Sequence, residues 1–332
     1  MKLTGDNNVV KLFLSDLNTK RPSPHTIVSY TYILRVLMSA LETVCGVTEL
    51  ERVTVIHLRQ CVEHLLTNPV LATKSRRLPD NGKTLSIATV RNHIKVWKTF
   101  FTWCFQEELL DKNPVLRLSS PRADKRIIPA FSDEQVEKML SCFDLSTDVG
   151  FRDYLIILLL LDTGIRLSEI AGLDVASVQD GYIKVFGKGR KEREVGIHPD
   201  VSKLLWKYIY KYRKPKQSDE PALFLSMTNK NAGGRISDAC VQHLIERVKA
   251  LTGITDMRVS PHVFRHTFAK MYLRAGGDVF SLSREMGHSS TQVTNIYLQD
   301  FSSSDARRKH TTFSPINNLK LRKKQKRVEK QE

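Results

Sequence analysis

Arginine and histidine side chains at helical spacing indicate a place where this chain could hold a phosphate group. In residues 261–269, His262 and Arg265 are three positions apart, so both lie on one face of the helix that this segment predicts. In residues 163–169, an apolar helix ends at a glycine turn, and Arg166 falls close to the start of the next helix, where backbone N–H groups favour an anion. Each of these residues alone is more often an ordinary polar side chain, so their meaning depends on their combination.

Two further segments carry a lysine, a histidine and a tyrosine that could act on such a group. Lys188 lies between two glycines at the predicted tip of a β-hairpin, from which a lysine can reach into a neighbouring groove. His288 follows a glycine turn at or before a predicted helix start, and Tyr297 comes nine residues later, about two and a half helical turns on. The plainer interpretations are an ordinary turn lysine and a half-buried packing tyrosine.

The sequence does not predict a metal or cofactor site. His262 and His266 have the i, i+4 spacing of a zinc-binding helix, but the residue after the first histidine is Val263, where a metalloprotease has glutamate. The glycines around Lys188 lack the spacing and the following Ser or Thr of a phosphate-binding loop. The five cysteines include no CxxC pair, which argues against a zinc site or a disulfide framework and favours a reducing compartment. We therefore expect chemistry without a cofactor.

Taken together and in this order, the motifs resemble the catalytic set of the tyrosine recombinase family, which includes the phage integrases and the Xer-type proteins. The sequence has an arginine in T-G-x-R-x-S-E, a lysine on a hairpin, H-x-x-R-H-T, G-H-S-S and a downstream tyrosine. The resemblance covers most of the chain and implies a catalytic set of Arg166, Lys188, His262, Arg265, His288 and Tyr297. It also implies a C-shaped clamp on double-stranded DNA recombination sites, a homotetramer on that DNA, and an accessory or partner recombinase as a further partner.

The roles that the resemblance implies agree with the chemistry of these side chains. Attack by Tyr297 on a phosphodiester would leave a 3′-phosphotyrosine link, which stores the bond energy, so that rejoining needs no ATP. Only about 0.1% of a phenol with an ordinary pKa near 10 is ionised at pH 7, so the developing charge must be neutralised. The two arginines would contact the nonbridging oxygens, and His288 would add a hydrogen bond. Lys188 would protonate the leaving 5′ oxygen, and His262 would assist transfer of the tyrosine proton.

Two helical regions separated by a proline-rich linker would position these residues. Predicted helices of the N-terminal third begin after Ser23, Thr54 and Ser86, each followed by apolar residues at steps of three or four. Prolines interrupt the linker, and Ser132 with Gln135 forms a capping box that opens the second domain. We predict a helical core-binding, DNA-binding domain over residues 1–118, a linker over 119–130, a catalytic domain over 131–315 and a basic tail over 316–332.

The second domain is predicted to be mostly helical with one small β-structure. Tyr182–Phe186 and residues 192–197 favour strands, and the glycines between them mark the turn of a hairpin. Helices are predicted at about 200–213, 237–252, 262–275 and 279–286 and around Tyr297. The predicted fold class is therefore mainly α, with an all-helical N-terminal core-binding domain and an α+β catalytic domain that contains a small β-hairpin or sheet.

The charge of the chain favours a polyanionic partner. Lys and Arg number 52 against 35 Asp and Glu, a formal net charge of +17. Residues 1–118 hold 16 basic and 10 acidic side chains and the remainder holds 36 and 25, so both domains are basic. This balance suits a nucleic acid, although a merely basic surface has the same composition. The longest apolar run, residues 154–161, is too short for a bilayer and the start does not resemble a signal peptide, so we expect a cytoplasmic protein with no membrane partner.

Two other functions share parts of this pattern. A type IB topoisomerase uses similar groups to cut and reseal one strand, but the two-domain layout and the G-H-S-S segment favour a recombinase. A DNA-binding protein that has lost catalysis is not expected to keep the whole set of side chains. Within the family, the ending at residues 313–315 and the basic tail favour integration, excision or resolution of a mobile element over chromosome-dimer resolution by a Xer-type recombinase.

Overall fold

The computed structural model divides the chain into two compact units, Met1–Lys125 and Arg126–Glu332. The structure describes residues 2–3, 8–68, 84–122, 129–187, 192–227, 231–287, 294, 296 and 297. Lys188, His288 and the basic tail lie outside the described residues.

The N-terminal unit is a set of helices around one apolar core. Its helices are α1 (Val9–Thr19), α2 (Pro24–Cys45), α3 (Val55–Thr67) and α4 (Ile87–Gln106), with a short 3₁₀ turn at Leu50–Arg52. The predicted starts of α2, α3 and α4 are confirmed, because Ser23, Thr54 and Ser86 each accept a hydrogen bond from the backbone N–H three residues later. The aromatic stripe of α4 is part of the core, since Trp97 and Phe101 are fully buried.

Helix α2 is long and apolar. By length and composition it is the one helix among the described residues that could cross a membrane, with a mean hydropathy of 1.3. A core helix passes the same test, and Leu34, Leu37 and Leu41 of α2 belong to the buried core of the N-terminal unit. Packing within this unit therefore accounts for the apolar face of α2.

The first helix of the C-terminal unit begins at the predicted capping box, and the unit continues as helices around a second core. Ser132 Oγ accepts a hydrogen bond from the Gln135 N–H (3.2 Å), and Gln135 Oε1 accepts one from the Ser132 N–H (3.0 Å), which confirms the box. The helices are α5 (Asp133–Ser141), α6 (Asp148–Thr163), α7 (Leu167–Gly172), α8 (Pro199–Lys207, continued by a π turn at Tyr208–Tyr212), α9 (Asp238–Thr252), α10 (Pro261–Arg274) and α11 (Val279–Met286). The predictions for the last four agree with these bounds to within about one residue.

A small antiparallel sheet lies in the C-terminal unit. Its strands, in spatial order, are β1 (Val178–Gln179), β2 (Tyr182–Phe186) and β3 (Glu192–Gly196). The predicted hairpin of β2 and β3 is confirmed, with Ile183 opposite Val195 and both side chains buried. Strand β1 was not predicted, because two residues carry no alternation and only pairing with β2 defines them.

Helix α6 sets the position of the residues that follow it. Leu155, Ile156 and Leu160 point to different sides of this helix and all are buried, as in a helix at the centre of a core. Helix α6 packs against α10 and ends at Gly164, two residues before Arg166. The packing of α6 on α10 therefore brings the start of α7 close to the first turns of α10.

Candidate active site

Three of the predicted site residues meet at one groove of the C-terminal unit. Arg166, at the start of α7, and His262 and Arg265, in the first turns of α10, line a cavity of about 540 Å³. The rest of the lining is Leu167, Ser168, Asp238, Gln242, Arg258, Ser260 and Pro261. The predicted common face of His262 and Arg265 is confirmed, because both residues line this groove. His262 is exposed, whereas Arg265 is only 7% exposed.

Arg166 lies at the N-terminus of α7 and is hydrogen-bonded to residues of α7 and of the end of α11. Its backbone N–H donates to Glu169 Oε2 (2.8 Å) and its Nη1 donates to Glu169 Oε1 (2.9 Å). Its Nη2 donates to the carbonyl of Gly287 at 3.3 Å. The side chain is still 41% exposed, so a ligand in the groove can reach this guanidinium.

Arg265 is the more deeply buried of the two arginines. Nη1 donates to the carbonyl of Gly164 (2.7 Å) and Nη2 donates to the carbonyl of Met286 (2.6 Å). Burial, with a contribution from the neighbouring charge of Arg166, lowers the pKa of Arg265 to about 10. The guanidinium therefore remains charged at neutral pH, in a place where a poorly hydrated cation attracts an anion strongly.

A buried carboxylate stands between Arg166 and an arginine of strand β3. Glu169 is 6% exposed and accepts hydrogen bonds from Arg193 Nη1 to Oε1 and from Arg193 Nη2 to Oε2, both at 2.8 Å. Burial raises the pKa of Glu169, but the hydrogen bonds from Arg193 and Arg166 outweigh it, and the net pKa is below the ordinary value. The carboxylate is therefore ionised at neutral pH and fixes the positions of both arginines.

The sequence pattern indicates no role for Glu169 or Arg193. Glu169 belongs to the T-G-x-R-x-S-E motif, but the motif does not specify its partner. Arg193 lies two residues before Val195, so the alternation of a strand places it on the face that Val195 buries. A basic residue on the apolar face of a predicted strand was the signal that it has a buried partner.

Tyr297 is buried next to the groove, not within its described lining. The residue is 2% exposed and packs with Phe268, Leu273 and Leu282. Its hydroxyl shares a hydrogen bond of 2.7 Å with Nδ1 of His266. Burial raises the pKa of Tyr297, and the positive charge of Arg265 opposes that rise. The phenol is therefore protonated at neutral pH and needs a proton acceptor before it can act as a nucleophile.

His266 is a third residue whose role the sequence pattern did not indicate. In the sequence His266 stands out only by its i, i+4 spacing from His262, which suggests zinc, whereas the structure places His266 against Tyr297. Burial, followed by the charges of His262, Arg265 and Lys270, lowers the pKa of His266 to about 4. The imidazole is neutral at physiological pH, so one ring nitrogen is a donor and the other an acceptor. Among the described residues, no group of three or more His, Cys, Asp or Glu side chains lies close enough together to hold a metal ion.

Two family models match this chain. Residues 130–303, more than half of the chain, match the model described as the phage integrase family. Residues 10–108 match the model described as the phage integrase N-terminal SAM-like domain.

Curated relatives are named tyrosine recombinases. Tyrosine recombinase XerD of Proteus mirabilis is 30% identical over 228 residues, which covers 67% of this chain and 70% of the relative. Tyrosine recombinase XerC of Chlamydia caviae is 28% identical over 292 residues, which covers 84% of this chain and 90% of the relative.

Solved structures show the same fold at lower identity. The Tn1549 transposon integrase in complex with a circular intermediate DNA matches with a TM-score of 0.69 and 21% identity, covering 92% of this chain and 98% of that chain. The XerH site-specific recombinase bound to its difH substrate matches with a TM-score of 0.62 and 20% identity, covering 85% and 78%. The predicted fold class, mainly helical with one small sheet in the second half, is confirmed.

Proposed function

The chain belongs to the phage integrase family and is a tyrosine recombinase, and from this premise we propose that it cleaves and rejoins double-stranded DNA at specific sites through a covalent link to Tyr297. The observation that carries the proposal is the groove in which Arg166, His262 and Arg265 converge. A phosphodiester placed there would face two guanidinium groups and one imidazole, which is the arrangement that its attack by a weak nucleophile requires.

In the proposed reaction the Tyr297 oxygen attacks the scissile phosphorus, the bond from phosphorus to the 5′ oxygen breaks, and a 3′-phosphotyrosine link remains. Arg166 and Arg265 donate to the nonbridging oxygens, whose charge grows in the transition state. His262 assists removal of the phenol proton, and Lys188 donates a proton to the departing 5′ oxygen. One phosphoester bond replaces another, so the reverse step rejoins the strand without an energy source.

His288 completes the proposed set by donating a further hydrogen bond to the phosphate. Lys188 and His288 both lie outside the described residues, and their roles rest on the family motifs that they match. Lys188 matches the lysine of the hairpin motif, and His288 matches the histidine of the G-H-S-S motif.

Tyr297 has to change partners for this reaction. In the described state its hydroxyl is bonded to His266, and the residue is not among those that line the groove. Attack requires the oxygen to leave His266 and approach a phosphate held by Arg166 and Arg265. Because burial raises the pKa of the phenol, we expect proton removal to accompany the attack at neutral pH.

Each part of the chain has a task in this proposal. We assign residues 1–118 to DNA binding, 119–130 to a linker, 131–315 to catalysis and 316–332 to loose phosphate contacts. The two family matches and the basic charge of both halves support this division. XerH and the Tn1549 integrase were solved with DNA, which supports duplex recombination sites as the partner. A homotetramer on that DNA, an accessory or partner recombinase and a cytoplasmic location complete the proposal.

A nicked duplex that traps the covalent intermediate tests the nucleophile. Its sequence comes from sequencing the DNA that the purified chain binds. Wild type should give a protease-sensitive adduct on a denaturing gel, with the label in a peptide that contains Tyr297. Tyr297→Phe keeps the ring and its packing, so it should bind the duplex and form no adduct. An adduct that survives in Tyr297→Phe would show that another residue attacks.

We favour integration, excision or resolution of a mobile element as the biological role, on the basis of residues 313–315 and the basic segment over 316–332. Chromosome-dimer resolution is the second candidate, because the curated relatives are named XerC and XerD. Sequencing recombinant junctions in host cells separates the two. Junctions between an element and varied host DNA support the first role, whereas exchange at one chromosomal site supports the second. Relaxation of plasmids that lack the bound site would instead indicate a topoisomerase.

A further inference from the structure

Arg193 on β3 is a charged side chain that the reaction described above does not use. Its side chain is 14% exposed, while Glu192 and Glu194 beside it on the strand are exposed. Its guanidinium donates to both oxygens of Glu169 at 2.8 Å, and its Nε donates to the carbonyl of Glu285 at 3.0 Å. A largely buried arginine with three directed hydrogen bonds is held in one orientation.

The Glu169 carboxylate is shared unequally between Arg193 and Arg166. Arg193 contacts both carboxylate oxygens through its side chain, which is the stronger, paired arrangement. The Arg166 side chain contacts one oxygen only, at 2.9 Å. The negative charge of Glu169 is thus neutralised mainly by Arg193, and the charge of Arg166 remains available on the groove side.

The end of helix α11 ties the same arginines together. Three successive carbonyls, which carry the partial negative charge of a helix C-terminus, each accept from one arginine. The pairs are Glu285 O with Arg193 (3.0 Å), Met286 O with Arg265 (2.6 Å) and Gly287 O with Arg166 (3.3 Å). Arg193 is the one of these three arginines that is not in the described lining of the groove.

We propose that Arg193 is a positioning residue for DNA cleavage, which neutralises Glu169 and anchors the end of α11 so that Arg166 presents its charge to the bound phosphate. The inference rests on the proposed role of Arg166 as a phosphate contact. Without Arg193, Glu169 would retain Arg166 as its paired cation. The Arg166 guanidinium would then turn toward the carboxylate and give up part of its contact with the phosphate.

The first test is Arg193→Met in the full-length chain, with adduct formation on the nicked duplex measured in a single turnover. Duplex affinity should stay within about twofold of wild type, since phosphate contacts along the whole duplex dominate it. Adduct formation should slow by roughly 10- to 100-fold, the range lost in metalloenzymes when a residue that orients a metal ligand is removed. A wild-type rate would overturn the proposal.

Charge rescue is the second test. Glu169→Gln in the Arg193→Met background removes the carboxylate charge that would otherwise draw Arg166 away. The double variant should form adduct faster than Arg193→Met alone, at unchanged duplex affinity. A double variant that is no faster would show that Arg193 does not act through the charge of Glu169, and the proposal would fail.

Arg152→Met is the matched control for stability. Asp153 is also a buried carboxylate shared by two arginines, Arg152 and Arg247, but neither arginine lines the groove. Arg152→Met should lower the melting temperature as Arg193→Met does and leave the rate of adduct formation at the wild-type value. An equal loss of rate in both variants would mean that general destabilisation explains the effect.

Two more variants keep the test decisive. If Arg193→Met does not fold, Arg193→Lys keeps a cation beside Glu169. This variant should fold and form adduct at a rate between those of wild type and an Arg166→Ala variant.

Arg166→Ala separates this inference from the proposed function. Wild-type cleavage by Arg166→Ala would refute the phosphate-contact role itself, whereas slow cleavage by Arg166→Ala with a normal rate in the Arg193 variants would refute only the role of Arg193.

Discussion

The two units of this chain bury polar groups in opposite ways. Among the described residues of the N-terminal unit, His93 is the one polar side chain in the buried set. Its Nδ1 has no hydrogen-bond partner there, and neither do the indole nitrogens of Trp97 and Trp103. The core of this unit is otherwise apolar, so its stability comes from burial and shape.

The C-terminal unit buries charges and gives each of them partners. Asp153, Glu169 and Arg265 are each less than a tenth exposed, and each is hydrogen-bonded to a charged group or to backbone carbonyls. An unpaired buried charge costs several kcal/mol, so removing one partner from either network should destabilise the C-terminal unit. The groups with shifted pKa values around the groove, Arg265, His266 and Tyr297, lie where the chemistry is proposed.

Fluorescence can follow each unit separately. The chain has three tryptophans, of which Trp97 and Trp103 lie in the N-terminal unit and Trp206 in the C-terminal unit. A Trp206→Phe background therefore reports on the N-terminal unit alone. A background with phenylalanine at positions 97 and 103 reports on the other unit.

The largest expected effect is on the stability of the C-terminal unit. Asp153→Ala leaves Arg152 and Arg247 without their carboxylate, and breaking a buried pair costs about 4 kcal/mol. Urea unfolding followed through Trp206 should show this loss, while unfolding of the N-terminal unit should not change. A loss below about 1 kcal/mol, the value of a surface pair, would mean that the network is not buried in solution.

The next effect is on the chemistry of the groove. Arg265→Met removes a charge-assisted contact to the phosphate. This should raise the activation free energy of adduct formation by about 3–4 kcal/mol and slow the reaction a few hundredfold. Duplex binding should be largely kept, because most of the net charge of +17 lies elsewhere. Single-turnover adduct formation measures the rate. If the rate falls by less than tenfold, Arg265 is a structural cation that holds Gly164 and Met286 and does not contact the phosphate.

The third effect is on the pH dependence of the stability of the N-terminal unit. Burial lowers the pKa of His93 from 6.5 to about 4. As the pH falls, the unfolded chain protonates this histidine before the folded chain does. The contribution of neutral His93 to the free energy of unfolding is therefore complete above about pH 6.5 and is lost as the pH falls through about 4. The loss amounts to about 3 kcal/mol, since one pKa unit corresponds to 1.36 kcal/mol.

Urea unfolding of the Trp206→Phe background between pH 7.5 and pH 4.5 checks this pH dependence. His93→Leu should flatten the dependence, because no group then has to be kept neutral in the core. An unchanged slope in His93→Leu would assign the acid sensitivity to other groups.

The smallest effect compares one glycine from each unit. Gly46 ends α2 and Gly287 ends α11, both in the left-handed region with φ of +66° and +62°. A Cβ on Gly46 would meet no atom within 4 Å, whereas a Cβ on Gly287 would lie 2.9 Å from Arg193 Cζ. Gly46→Ala should therefore cost only the conformational term of about 1 kcal/mol.

Gly287→Ala should cost about 2 kcal/mol, from that term and from displacement of Arg193, and should also slow adduct formation. Urea unfolding of each unit and the adduct assay give both quantities. Equal losses of stability with a normal adduct rate would show that Arg193 yields to the new methyl group without consequence.

Much of the fold could be predicted because it depends on neighbours in the sequence. The caps at Ser23, Thr54, Ser86 and Ser132 join residues three apart, and the helices that follow repeat their apolar residues at a fixed period. Strand β1 was missed because its two residues have no period of their own. The site could be predicted only as a set of residue types in order, by their resemblance to a family.

Capping, periodicity and side-chain chemistry are local properties, so the amino-acid sequence specifies which helices form, which residues could bind a phosphate and which chemistry they suit. The hydrogen bonds between distant polar groups depend on tertiary packing. They join Arg193 to Glu169 across 24 residues, Tyr297 to His266 across 31, and Arg166 to the carbonyl of Gly287 across 121. These contacts depend on how α6, α10, α11 and β3 pack. Packing is set by the burial of whole faces, so no local pattern specifies which distant polar groups will meet.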